Sequence, residues 1–141
     1  MVTITEANAT STAPPSAYFA RWADMATWPE WNTDTEWVRL AGPFVSGATG
    51  QLKPKGGPKV KFVVERVVPN EEFVDTSRLL GARLTFRHVV TANPDGGGAI
   101  AVIVTMTGVL RRLWMMVLAK GFRATAQQDL DRLVAVAESV S

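Results

Sequence analysis

Apolar residues recur at every second position through the middle of this chain. In 59–68, Val60, Phe62 and Val64 oppose Lys61 and Glu65; in 82–92, Leu84, Phe86, His88 and Val90 oppose Arg83, Thr85 and Arg87. A period of two places successive side chains on opposite faces of a strand, so the apolar set of each run faces a core. The same reading gives strands over 2–9, 34–40, 47–53, 71–79 and 99–107. The last is apolar on both faces, and its bulkier set, Ile100, Val102, Val104 and Met106, is expected to point inward. The connectors are short and rich in turn residues: Gly42-Pro43, the tip from Lys53 through Pro54, Gly56 and Gly57 to Pro58, Pro69-Asn70, and Asn93-Pro94-Asp95-Gly96-Gly97. They favour antiparallel meander pairing.

Two stretches carry a helical period instead. Pro14 and Pro15 suit a first helical turn and lead into a helix to about residue 23, with Tyr18, Phe19 and Trp22 on one side. Next comes Thr27-Trp28-Pro29-Glu30-Trp31-Asn32, a turn with a large apolar payload that cannot extend far as a regular helix. It is expected to plug the mouth of a hollow body. Residues 109–139 read as a long C-terminal helix. Leu110, Leu113, Trp114, Val117 and Gly121 share one face, whereas Leu130, Leu133, Val134 and Ala137 define another. Two stripes rotated apart predict two helical segments or one kinked helix, with the change near Gly121.

Composition narrows the class. The 141 residues, 47% hydrophobic and 20% charged, suit one domain over 1–141 with an ordinary core. Net charge is +2, and Lys53, Lys55, Lys59 and Lys61 read as a solvated hairpin tip without interleaved aromatics, so no nucleic-acid partner is expected. Without cysteine there are no disulfides, thiolate metal sites or cysteine nucleophiles, and one histidine does not make a conventional metal site. Neither metal nor cofactor is therefore expected. The N-terminus lacks the pattern of a signal peptide and no run is apolar enough to insert through a membrane, which points to a cytoplasmic protein, monomer or homodimer.

The residues also resemble a known superfamily. Phe19-Ala20-Arg21-Trp22-Ala23-Asp24 followed by Trp28-Pro29-Glu30-Trp31 is similar to the opening of START-like, polyketide cyclase/dehydrase-like (SRPBCC) proteins. Gly42-Pro43-Phe44 with Gly47 and Gly50, the 52–58 tip, and Val67-Val68-Pro69-Asn70-Glu71-Glu72-Phe73 extend the likeness over nearly the whole chain. The resemblance implies an α+β helix-grip fold. In it a curved, seven-stranded antiparallel sheet wraps a long C-terminal helix, short helices follow the first strand, and a hydrophobic cavity lies between sheet and helix.

Candidate site residues follow from the alternation. Phe62, Val64, Leu84, Phe86, His88, Val102, Val104 and Met106 are expected to line the interior from the strands, with Phe73 beside them. Leu113, Trp114, Val117, Phe122 and Thr125 are expected to close it from the helix, and Trp28, Trp31, Trp37 and Trp114 to stack on a planar ligand. His88, the single histidine, lies on an apolar face and is a candidate general acid or base, with Asp75 or Glu36 to orient it. Burying a carboxylate without a partner costs several kcal/mol, so an inward Asp75 or Glu36 needs a reason.

Two functions of different kinds fit. One is a module binding a hydrophobic small molecule such as a lipid, polyketide or aromatic metabolite. The other is a cyclase or dehydratase in which His88 moves a proton and must lie within reach of a carboxylate or water. A partner-binding domain is a third, requiring Trp28 and Trp31 to form an exposed patch.

Overall fold

A computed structural model describes residues 2–139. Seven strands, β1 (Val2–Ser11), β2 (Thr35–Ala41), β3 (Thr49–Pro54), β4 (Val60–Val68), β5 (Glu72–Leu79), β6 (Ala82–Ala92) and β7 (Gly98–Thr107), form one sheet in the order β1-β7-β6-β5-β4-β3-β2. Every pairing is antiparallel. Between β1 and β2 lie helix α1 (Pro15–Ala23) and a 3-10 helix (Met25–Glu30); helix α2 (Arg111–Ser139) follows β7 and packs chiefly on β1, with further contacts to β6, β7 and α1. This is the expected helix-grip arrangement.

Local chemistry accounts for the junctions. Pro15 opens α1, where its missing N–H costs nothing, and the Asp24 N–H closes the helix on Ala20 O at 3.2 Å. Pro29 falls inside the 3-10 helix, which ends at once. Asn70 takes the left-handed conformation, φ 61°, in the β4–β5 turn, as asparagine does more readily than most residues. Gly50 of β3 lies opposite Phe62, and a Cβ there would run into the Phe62 ring and the Arg39 carbonyl. The glycine lets that ring lie flat across β3.

Helix α2 is a single element and not two segments. It runs unbroken through Gly121, whose carbonyl accepts a hydrogen bond from Thr125 Oγ1 at 3.0 Å. Its inward stripe is continuous: Met115, Ala119, Phe122, Ala126, Leu130, Leu133 and Ala137 all pack into the core. Their spacings of three and four residues keep one face throughout. The sequence stripe diverged because it followed bulky Leu113 and Val117 and passed over two alanines.

The core is built in two parts. Around Trp22, Trp28, Trp31 and Phe73, the first joins α1, the 3-10 helix and the C-terminal half of α2 to the sheet. The second joins Ile4, Leu84, Val104 and Met106 to Ala119, with Trp114, Leu118 and Phe122 against them.

Candidate functional site: a buried carboxyl and imidazole on the concave face

The alternation sorts the concave face as expected. Phe62 and Val64 of β4, Leu84 and His88 of β6, and Val104 and Met106 of β7 are buried, and Phe86 and Val102 pack against the same core. Register then brings particular side chains together. Asp75 stands between Val64 and Phe86, and Phe73 stands opposite His88, which in turn faces Val102. Asp75 and His88 are thus diagonal neighbours on the inner surface.

His88 is enclosed by rings. It stacks on Phe73 at 4.0 Å between centroids and 7° between planes, with Trp22 at 5.6 Å and Trp28 at 6.4 Å. Its Nδ1 lies 3.3 Å from Phe73 O. A carbonyl only accepts, so this contact makes Nδ1 the protonated nitrogen and leaves Nε2 as the acceptor. Burial pushes the imidazole pKa down to about 3, against a partial opposing effect of that hydrogen bond. The ring is neutral at physiological pH, and its hydrogen-bond partner is a backbone carbonyl instead of a carboxylate. Among the described residues, no carboxylate hydrogen-bonds the ring.

Asp75 behaves in the opposite sense. It is buried, with Oδ1 lacking any hydrogen-bond partner. Burial raises its pKa to about 8, resisted by its own backbone N–H and reinforced by the charge of Glu65. The carboxyl is therefore mainly protonated at neutral pH and presents an O–H donor to the interior. Two indole donors in the core, Trp22 Nε1 and Trp31 Nε1, are likewise buried and unpartnered. The outer face differs: Glu72 is clamped by Arg66 and Arg87, each at 2.5 Å, and the Arg87 hydrogen bond heads the causes that hold its pKa down.

Four sequence candidates lie elsewhere. Glu36 is exposed and pairs with Lys53 at 3.2 Å. Trp37 alternates with the inward Val38 and so projects from the outer face, where the Arg39 guanidinium sits 4.2 Å above its ring. Leu113 and Val117 are exposed on the outer side of α2. The helix stripe is turned so that Trp114 and Phe122, the latter edge-on to Phe86 at 5.7 Å, meet the core instead. Trp31 is buried against Trp28 at 5.6 Å, and Trp28 Nε1 donates to Trp22 O at 3.2 Å. These rings pack into the core beside His88, and neither Trp28 nor Trp31 forms an exposed patch. Trp22, whose indole packs against His88, was legible only as part of the apolar side of α1.

Two open recesses of about 530 and 560 Å³ meet at Arg78 and include neither Asp75 nor His88. The first lies between Gly81 and Gly108; the second lies over Arg39, Gly50, Lys61 and Phe62.

Comparisons place this geometry. Among solved structures, the KanY protein (ms6282) superposes with a TM-score of 0.75 at 18% identity, covering 97% of both chains. TTHA0849 from Thermus thermophilus gives 0.74 at 14%, covering 97% of this chain and 98% of that one. The di-domain ARO/CYC StfQ from the steffimycin biosynthetic pathway gives 0.71 at 13%, covering 98% of this chain and 52% of the larger one. These identities establish a shared fold. A search of curated proteins finds no match. The family model described as polyketide cyclase / dehydrase and lipid transport matches residues 1–138. With that match spanning nearly the entire chain, the protein belongs to the polyketide cyclase / dehydrase and lipid transport family.

Proposed function

We propose that the protein binds a hydrophobic small molecule bearing carbonyl or hydroxyl oxygens in the interior between the sheet and α2. The observation that carries this is a group of unpartnered polar atoms in a largely apolar core, among them Asp75 Oδ1, Trp22 Nε1 and Trp31 Nε1. Buried polar atoms left unpaired cost about 1–3 kcal/mol each, so a ligand supplying partners recovers that energy on binding. The surrounding rings of Phe73, Trp22, Trp28 and Phe86 offer apolar and stacking surface for the remainder of such a molecule. Family membership supports a ligand of lipid, polyketide or aromatic character.

A second reading is favoured by Asp75 itself. A carboxyl with its pKa raised to about 8 is a proton donor at neutral pH, the property a cyclase or dehydratase needs to protonate a carbonyl or a departing hydroxyl. The proton donor in this reading is Asp75; His88, neutral and tied to the Phe73 carbonyl, orients or accepts.

Native mass spectrometry of the purified protein, with solvent extraction of whatever is bound, tests the binding reading. A stoichiometric apolar, oxygen-bearing compound is expected, released when Asp75→Asn or Trp22→Phe weakens its contacts. A clean unbound mass, together with failure of added aromatic polyketides and fatty acids to quench tryptophan fluorescence, would sink it. Turnover of a bound polyketide that survives Asp75→Asn would remove the second reading.

A further inference from the structure

At one end of the molecule, bulky aliphatic side chains stand in water. Among the described residues, seven large hydrophobic side chains are exposed, and six of them, Leu80, Val109, Leu110, Leu113, Met116 and Val117, gather there. Leu80 is in the β5–β6 turn at 80% exposure, Val109 in the β7–α2 loop at 88%, and Met116 on the first turns of α2 at 83%. The pieces are joined rigidly. Leu110 N–H donates to Gly81 O at 2.8 Å, and Trp114 Nε1 donates to Leu80 O at 2.8 Å. Gly81, at φ 69°, has the Leu110 side chain where its own Cβ would be. Leu113, Met116 and Val117 sit at spacings of three and four and share the outer helix face with Lys120.

The charge flanking this patch on β5, β6 and α2 is positive. Arg78 and Arg83 stand opposite each other across β5 and β6, beside the recess that Val109 lines. Arg111 and Arg112 open α2, and Lys61 extends the row from β4. Residues 76–94 and 96–128 contain no aspartate or glutamate. Among the described residues, none of Lys61, Arg78, Arg83, Arg111 and Arg112 forms an ion pair. The β3–β4 tip, with Lys55 and Lys59, is at the same end because the meander alternates its turns. The acids there, Asp34 and Glu36, lie at the β2 edge, and Glu36 is held by Lys53.

We propose that this end docks onto an anionic lipid surface, with Leu80, Val109, Leu113 and Met116 dipping into the headgroup–acyl boundary and the surrounding arginines and lysines holding acidic headgroups. Aliphatic tips inside a cationic rim are what interfacial binding needs. A second copy of this chain would set arginine against arginine, and nucleic acid would find no aromatic platform among these aliphatic side chains. Docking requires no crossing, and no described helix is long and apolar enough to cross a bilayer.

The test is flotation with vesicles of phosphatidylcholine alone and of phosphatidylcholine with phosphatidylglycerol, together with the oligomeric state by sedimentation equilibrium. Binding to the mixed vesicles, at least about tenfold weaker on phosphatidylcholine and reversed by salt, is expected. Leu80→Asp/Val109→Asp and Arg83→Glu/Arg112→Glu are each expected to lose it about tenfold or more while melting like the parent chain, since these side chains are exposed. The absence of binding to either vesicle would overturn the proposal. So would binding unchanged in both variants, or a homodimer that Leu80→Asp/Val109→Asp dissolves in place of vesicle binding.

Discussion

The imidazole of His88 lies flat on the ring of Phe73, 4.0 Å away and 7° from parallel, while its Nδ1 points to the Phe73 carbonyl. One residue on β5 therefore supplies both the stacking partner and the hydrogen-bond acceptor of the single histidine, while burial keeps the ring neutral against the opposing effect of that hydrogen bond. Asp75, two residues further along the same strand, meets no such partner. Burial favours the neutral form of both groups, so it lowers the pKa of the imidazole and raises that of the carboxyl.

For His88, the native pKa of about 3 lies below the ordinary 6.5. Between these values the unfolded chain binds a proton that the native chain refuses. The contribution of the neutral ring to stability is complete above pH 6.5 and is lost as pH falls toward 3. The single imidazole resonance should show no titration between about pH 5 and 8 by proton NMR. A midpoint near the ordinary 6.5 would mean that the ring is solvated.

For Asp75, the native pKa of about 8 lies above the ordinary 3.8. Here the native chain keeps a proton the unfolded chain has released, so stability declines as pH rises from about 4 to 8. Asp75→Asn removes that slope. Urea unfolding across the range should show the variant gaining about 2–4 kcal/mol on the parent chain between about pH 4 and pH 8. A constant difference would place the carboxyl in water.

Gly50→Ala is expected to destabilise the fold by about 1–3 kcal/mol, because the new methyl overlaps both the Phe62 ring and the Arg39 carbonyl. Adding Phe62→Leu should recover only part of this, since the carbonyl contact remains. Thermal melting of the single and double variants measures it. Full recovery would show that the ring alone excludes a side chain there.

Trp28 and Trp37 separate core from surface. Trp28→Ala removes a buried indole and should cost about 3–5 kcal/mol. Trp37→Ala removes an outer-face ring with one cation above it and should cost about 1 kcal/mol or less, leaving ligand affinity unchanged. Loss of ligand binding in Trp37→Ala would relocate the site to the outer face.

The order of elements was legible because each rests on a local signal. Alternation in 82–92 marked β6 to the residue, and Pro69-Asn70 marked a turn whose backbone requires a left-handed residue. The inward set Phe62, Val64, Leu84, His88, Val104 and Met106 also followed from strand period alone, since one face of a pleat is committed once the other is charged.

What the sequence by itself determined was thus the run of strands, the Trp-Pro turn and the face of each clearly alternating strand. Only the tertiary structure decided which way α2 turns and which carboxylate is enclosed. Helix orientation depends on how closely backbones approach, and small Ala119 and Ala126 permit an approach that side-chain size does not advertise. Asp75 and Glu36 read alike along their strands, but Asp75 is on a central strand between Val64 and Phe86, while Glu36 is on an edge strand beside Lys53. Strand order is a non-local property, and it is strand order that withdraws one carboxyl from water and leaves the other paired in it.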